Sequence, residues 1–113
     1  MRQTERKRVV LVTGASRGLG REIALRFGSA GGRVVVNYFA SEQAATSVAD
    51  EVSHAGGEAM IQRADIRSSM EVDAMLLDTV ERWGRVDVLV NNAGVTDDGL
   101  TLRMKEQAWD DVL

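Results

Sequence analysis

The stretch Val9-Val10-Leu11-Val12-Thr13-Gly14-Ala15-Ser16-Arg17-Gly18-Leu19-Gly20 decides the fold. Four consecutive apolar residues running toward a glycine mark a strand covered on both faces, as in a parallel sheet. A helical period starts directly behind it: Leu19, Ile23, Ala24 and Phe27 fall on one face, and Gly28, Gly31 and Gly32 supply the stop. Gly14 permits a tight exit from the strand, Gly18 lets backbone come close to a ligand, and Gly20 lets the helix pack near the sheet. The free amides of the helix start then face outward, which suits a pyrophosphate. The spacing G-x3-G-x-G is one residue longer than the common dinucleotide fingerprint. No Gly-Lys-Ser/Thr follows Gly20, so this is not a P-loop.

The same unit recurs outward from this turn. Val34-Val35-Val36 reads as a second buried strand, Ala44, Ala45, Val48, Val52 and Ala55 as the inner stripe of a second helix, and Gly56-Gly57 as its end. A weaker third strand spans Ala59 to Ala64. Ser68 and Glu71 form a capping-box pair, and Val72, Met75, Leu76 and Val80 make a third amphipathic helix closed at Gly84. Val86 to Val90, broken by Asp87, is a fourth strand. A polar stretch from Asn91 to Thr101 precedes a helix expected from Lys105 onward. Such alternation requires right-handed crossovers and an α/β, doubly wound parallel sheet with helices on both faces, in the order 3-2-1-4.

Composition narrows the function. The 113 residues contain no cysteine and no proline, which excludes a disulfide scaffold and Cys-ligated metal sites. No metal site is expected. No apolar run is long enough for a bilayer and Met1 to Arg8 lacks the apolar stretch of a secretory signal, so the expected compartment is the cytoplasm. Of 14 basic and 17 acidic residues, the first eight positions hold four basic and one acidic, leaving 10 and 16 from residue 9 onward. The expected organisation is a basic tail over 1–8 and one incomplete nucleotide-binding domain over 9–113. An acidic folded part argues against a nucleic-acid partner.

Ligands of an open parallel sheet bind beyond the carboxyl ends of its strands, where the strand order reverses. Four loop tips meet at that edge: the glycine loop, Asn37, Asp65, and Asn91-Asn92-Ala93-Gly94. An NAD-preferring site usually places an acid about 20 residues beyond the glycines. The tip of the second strand instead reads Asn37-Tyr38-Phe39-Ala40-Ser41, with no acid before Glu42, while Arg17 sits in the glycine loop to meet a 2′-phosphate. NADP is therefore expected over NAD. His54 reads as a surface or capping residue, Trp83 and Trp109 as packing anchors, and Met60, Met70, Met75 and Met104 as core or helix fillers.

Thr13 to Gly20, Asp65 and Asn91 to Gly94 resemble the cofactor half of the short-chain dehydrogenase/reductase family, whose fold is Rossmann-like, from about residue 8 onward. Asn92 to Leu100, Arg103-Met104-Lys105 and Trp109 to Leu113 are similar to its 3-oxoacyl-[acyl-carrier-protein] reductase branch. The resemblance implies that Gly14, Ser16, Arg17, Gly18, Leu19 and Gly20 hold the phosphates of NADP. It implies that Asp65 and Ile66 meet the adenine, and that Asn92, Ala93 and Gly94 border the ribose and nicotinamide side. It further implies an acyl-carrier-protein thioester as substrate, a homotetramer, and a Ser, Tyr-x-x-x-Lys and helix Asn catalytic set. This sequence has a single tyrosine, Tyr38, with Glu42 four residues on, and its lysines are Lys7 and Lys105, so none of that set is present. The chain accordingly reads as the cofactor-binding part of a longer enzyme, with its apolar fourth strand left as an aggregation-prone edge. A stand-alone nucleotide-binding module is the alternative. A methyltransferase of similar topology is disfavoured, because the tip of strand two lacks an acid for its cofactor's ribose.

Overall fold

The computed structural model describes residues 7–92 and the backbone of residues 101–104. Strands β1 (Val9–Val12), β2 (Arg33–Tyr38), β3 (Glu58–Arg63) and β4 (Val88–Asn91) alternate with helices α1 (Gly18–Ser29), α2 (Glu42–His54) and α3 (Ser69–Trp83). A short β5 (Thr101–Met104) follows, and the strand order is β3-β2-β1-β4-β5. The first four strands are parallel, in the expected order. β5 was not expected: it lies antiparallel on β4, pairing Val88 with Met104 and Asn91 with Thr101. β4 is therefore an inner strand and not the bare apolar edge that the sequence suggested. The helix expected from Lys105 lies outside the described residues.

Strand alternation sorts the core into two layers. Val10, Val12, Val34 and Val36 point to one side, where they pack with Ala24 of α1 and with Ala45, Val48 and Val52 of α2. Leu11 and Val35 point to the other, against Met75 and Leu76 of α3. Residues of β1 and β2 thus meet helices on both faces, which is why these strands are continuous apolar runs. β3 is the exposed edge and only half-buried, which explains its weaker pattern.

Of the expected stripe on α1, Ala24 is buried and Ile23 and Phe27 pack against the core, but Leu19 departs from it. The buried residues of the helix are Gly20, Ala24 and Gly28, whereas Leu19 is 55% exposed. The helix lies so close to its neighbours that side chains do not fit there: a Cβ on Gly28 would stand 2.8 Å from Val52 Cγ1. Gly28 is therefore a packing residue inside the helix, and the chain turns at Ala30 and Gly31, the latter at φ +89°. Ala55 also leaves the predicted stripe, as the exposed C-cap of α2, and Met70 is solvent-facing on α3.

The caps predicted for α3 are present. Ser68 Oγ accepts from the Glu71 amide, and Gly84 closes the helix in the left-handed region. The Glu71 carboxylate does not complete the reciprocal box; it accepts instead from the amide of Asp65 at 2.8 Å. Asp87, which interrupts the fourth apolar run, is buried and fastens the start of the sheet by accepting from Val9 N and from Arg85. No helix among the described residues is long and apolar enough to cross a membrane.

Candidate cofactor site

The carboxyl ends of β1, β2 and β4 are joined by a partly buried polar network before any ligand is considered. Thr13 directly follows β1, and its hydroxyl accepts from the Asn92 amide at 2.7 Å. Asn92 in turn donates its carboxamide to the carbonyls of Thr13 and Gly14, both at 3.3 Å. The tip of β4 is thereby tied to the glycine loop. On the opposite flank Asn37 Oδ1 accepts from Gly14 N at 3.1 Å, Asn37 O accepts from Ala15 N at 2.8 Å, and Asn37 Nδ2 donates to Gln62 O at 3.1 Å. A buried asparagine with its polar atoms occupied locks three strand ends together.

Within this frame the loop takes a shape that its glycines permit. Gly14 and Gly18 both have φ of +61°, the left-handed region that side chains disfavour. A Cβ on Gly18 would meet nothing within 4 Å, so this residue opens onto free space. A Cβ on Gly20 would lie 2.3 Å from Gly14 O and 2.8 Å from Asn92 Nδ2. Gly20 is thus required by the closure of loop, helix and Asn92 upon one another.

The start of α1 is left open. Ser41 and Ser68 cap α2 and α3 with their hydroxyls, but the N-cap of α1 is Arg17, which makes no side-chain cap bond. Among the described residues nothing accepts from the first-turn amides of Gly18, Leu19 and Gly20. These donors and the positive end of the helix dipole face the same opening. Beside it lies a cleft of about 590 Å³, lined by Gly14, Ser16, Arg17 and Gly18 on the loop side, by Tyr38, Phe39, Ala40, Ser41 and Ala44 at the tip of β2, and by Asn92. Its volume suits a small organic ligand. A phosphate-bearing cofactor fits it, because unpaired donors meet an open concavity with no carboxylate in its lining.

The residues expected at this site separate into groups. Gly14, Ser16, Arg17, Gly18 and Asn92 come together around the cleft, and Leu19 stands exposed beside it. Asn37 is 1% exposed and holds the loop from behind, so it braces the site where a ligand contact was expected. Asp65 and Ile66 lie beyond the end of β3, further along the same sheet edge, and do not line the cleft. The Asp65 carboxylate is held by Arg67: Oδ1 accepts from its backbone amide and Nε, and Oδ2 from Nη2 at 2.9 Å. The Arg67 side-chain and backbone hydrogen bonds lower its pKa from 3.8 to about 2. Ala93 and Gly94 lie outside the described residues.

The wall from Tyr38 to Ala44 was legible only as a tip lacking an acid. Its membership follows from the pairing of Val12 with Val36, which leaves β2 two residues longer beyond β1 and carries its tip past the glycine loop. His54 is exposed, with Nδ1 2.8 Å from Asp50 O at the end of α2, away from the site. Among the described residues no cluster of His, Cys, Asp or Glu is arranged to hold a metal ion.

Known proteins share this arrangement. The sequence profile described as short chain dehydrogenase matches residues 8–113. The 3-oxoacyl-[acyl-carrier-protein] reductase FabG of Staphylococcus aureus strain Mu50 is 48% identical over 103 residues, which is 91% of this chain and 42% of that protein. The 3-oxoacyl-[acyl-carrier-protein] reductase of Synechocystis is 48% identical over 105 residues, 93% of this chain and 42% of that protein. The chain thus spans less than half the length of these relatives. Among solved structures, a hydroxysteroid dehydrogenase from Escherichia coli superposes with a TM-score of 0.73 at 42% identity, covering 78% of this chain and 37% of that one. An NADH-dependent reductase complexed with NAD gives 0.74 at 30% identity over 81% of this chain and 38% of its own. A Burkholderia cenocepacia dehydrogenase with bound NADP gives 0.72 at 31% over 76% and 34%. With the profile running from the first strand to the last residue, and with the Rossmann-like order of the first four strands, this chain belongs to the short-chain dehydrogenase family of oxidoreductases.

Proposed function

We propose that this sequence is the NADP(H)-binding part of a 3-oxoacyl-[acyl-carrier-protein] reductase. The substrate would be a 3-oxoacyl thioester on acyl carrier protein, reduced to the 3-hydroxyacyl thioester as in fatty acid synthesis. The activity and substrate rest on the 48% identity to reductases of that name. The cofactor class rests on the open start of α1 facing a cleft. The observation that carries NADP over NAD is the lining of that cleft, which includes Arg17 and no acidic residue. A ribose 2′-hydroxyl asks for an acceptor there, and a 2′-phosphate asks for a cation. Solved relatives hold NAD in one case and NADP in another, so local charge is the deciding argument.

In this reading the amides of Gly18, Leu19 and Gly20, with Gly14 and Ser16, take the pyrophosphate, and Arg17 takes the 2′-phosphate. Asp65 and Ile66 border the adenine, and Asn92, Ala93 and Gly94 border the ribose and nicotinamide side. Bound nicotinamide supplies the hydride. The residues of this chain bind and orient it, within a domain over 9–113 of a cytoplasmic homotetramer. Titration of the full chain with NADPH and NADH tests the cofactor reading: NADPH is expected to bind more tightly, and Arg17→Ala to lower its affinity while sparing NADH. Equal losses for the two would remove the assignment. Turnover of a 3-oxoacyl-carrier-protein thioester by the longer enzyme that carries this sequence, against free 3-oxo esters and steroid ketones, tests the substrate.

A further inference from the structure

We propose that Arg63 is a second specificity-determining cation of this cleft, acting with Arg17 on a phosphomonoester carried by the adenosine ribose. The proposal rests on the NADP reading and extends it to a residue beyond the glycine loop. In the sheet register Arg63 pairs with Tyr38, the last residue of β2, so it stands next to the strand tip that forms the far wall of the cleft, just outside the cleft's own lining. The next residue, Phe39, lines that wall and is half exposed. The Arg63 guanidinium carbon lies 5.0 Å from the centroid of the Phe39 ring, a cation–π distance that holds the charge at the tip.

Charge pairing at this edge leaves Arg63 available. Arg67 is neutralised by Asp65 at 2.9 Å, and this bond uses the carboxylate nearest the end of β3. Among the described residues neither Arg17 nor Arg63 has an ion-pair partner within 4.0 Å. Arg63 also borders a groove between β3 and α3 that carries Glu71, Asp78 and Glu81. It pairs with none of them; Asp78 accepts from Gln62 instead. Two guanidiniums without a close ion-pair contact therefore flank the tip of β2, one from the loop after β1 and one from the end of β3, the latter also within reach of the field of Asp65. A dianionic phosphate between them would gain charge-assisted bonds that a bare hydroxyl cannot make.

The test is the affinity of the full chain for NADPH, NADH, adenosine 2′,5′-bisphosphate and 5′-AMP, with Arg63→Met keeping the apolar stem and removing the charge. The expected result is a roughly tenfold loss for the two 2′-phosphorylated ligands and little change for the other two, about the effect of one charge-assisted contact. Arg63→Lys should recover part of the loss, and Phe39→Leu should reproduce part of it by removing the shelf. Should Arg63→Met unfold early, Arg63→Gln carries the same comparison. An unchanged NADPH-to-NADH ratio in the charge-removed variant, with a lowered ratio in Arg17→Ala, overturns the role of Arg63 and leaves the NADP reading standing. Equal binding of NADPH and NADH by the unaltered chain overturns both.

Discussion

The two ends of the functional edge are built from different materials. Around the glycine loop, Thr13, Asn37 and Asn92 are tied to backbone by hydrogen bonds within the protein, and Gly20 is closed against Gly14. Beyond β3, the partly buried Asp65 pairs with the exposed Arg67, and Arg63 rests on a half-exposed ring. Buried, fully partnered polar groups fix a geometry, because leaving any one unpaired costs its full desolvation. Exposed charges are screened and exchange partners easily, so they contribute little to folding but respond strongly to the charge of a ligand. The loop end is thus suited to hold what all dinucleotides share, and the β3 end to tell one from another.

The strongest attempt to break this division is Asn37→Leu. It leaves Gly14 N and Gln62 O without their partner and removes the tie between three strand ends. The expected cost is about 4 kcal/mol in chemical unfolding, with binding of NADPH and NADH lost together. A variant of normal stability that merely shifted the NADPH-to-NADH ratio would show that Asn37 belongs with the discriminating end.

Gly20→Ala comes next. Its Cβ would meet a backbone oxygen at 2.3 Å, so the loop or the helix must move, at a cost of about 2–3 kcal/mol. Both dinucleotides should again weaken equally. Thr13→Val, which keeps the shape and removes the hydroxyl that accepts from the Asn92 amide, is expected to cost about 1–2 kcal/mol. Hydrogen exchange at the Asn92 amide, faster than in the unaltered chain, would locate the effect.

The sequence made the loop end more legible than the β3 end, for the same physical reason. Continuous burial writes a continuous apolar run, so Val9 to Val12 and Val34 to Val36 announced the central strands, and the glycines announced the turn between them. Ser68 and Gly84 announced the limits of α3, because caps are local chemistry. Asn37 was placed at the right edge, but its bracing bonds were not legible: they reach 23 and 25 residues along the chain, and a side chain's direction is not written in its neighbours. Leu19 was misplaced because periodicity favours large apolar residues, while the face of α1 that packs most closely is made of Gly20, Ala24 and Gly28. β5 left no readable signal, being four residues long and, among the described residues, paired on its β4 side alone. The pairing of Arg67 with Asp65 and the stacking of Arg63 on Phe39 depend on rotamers at a solvent-exposed edge, which residue pattern does not encode.

The smallest expected effect sharpens the comparison most, because it separates stability from charge. Arg67→Ala removes the side-chain donors of Asp65 and leaves the backbone amide at position 67 in place. The Asp65 pKa should therefore rise from about 2 part of the way toward 3.8, read by carboxyl chemical shift against pH. A folded-state pKa below the unfolded one stabilises the fold above the unfolded value and loses that contribution as pH falls through the folded value. The difference in stability between Arg67→Ala and the unaltered chain should accordingly be seen near neutral pH and fade as pH falls from about 4 to about 2. At neutral pH it should stay far below that of Asn37→Leu, since Arg67 is solvent-exposed and Asp65 only partly buried, so that solvent screens the pair. A large, pH-independent loss of stability would mean that the pair at the end of β3 supports the fold as the loop network does, and the division between a holding end and a discriminating end would not stand.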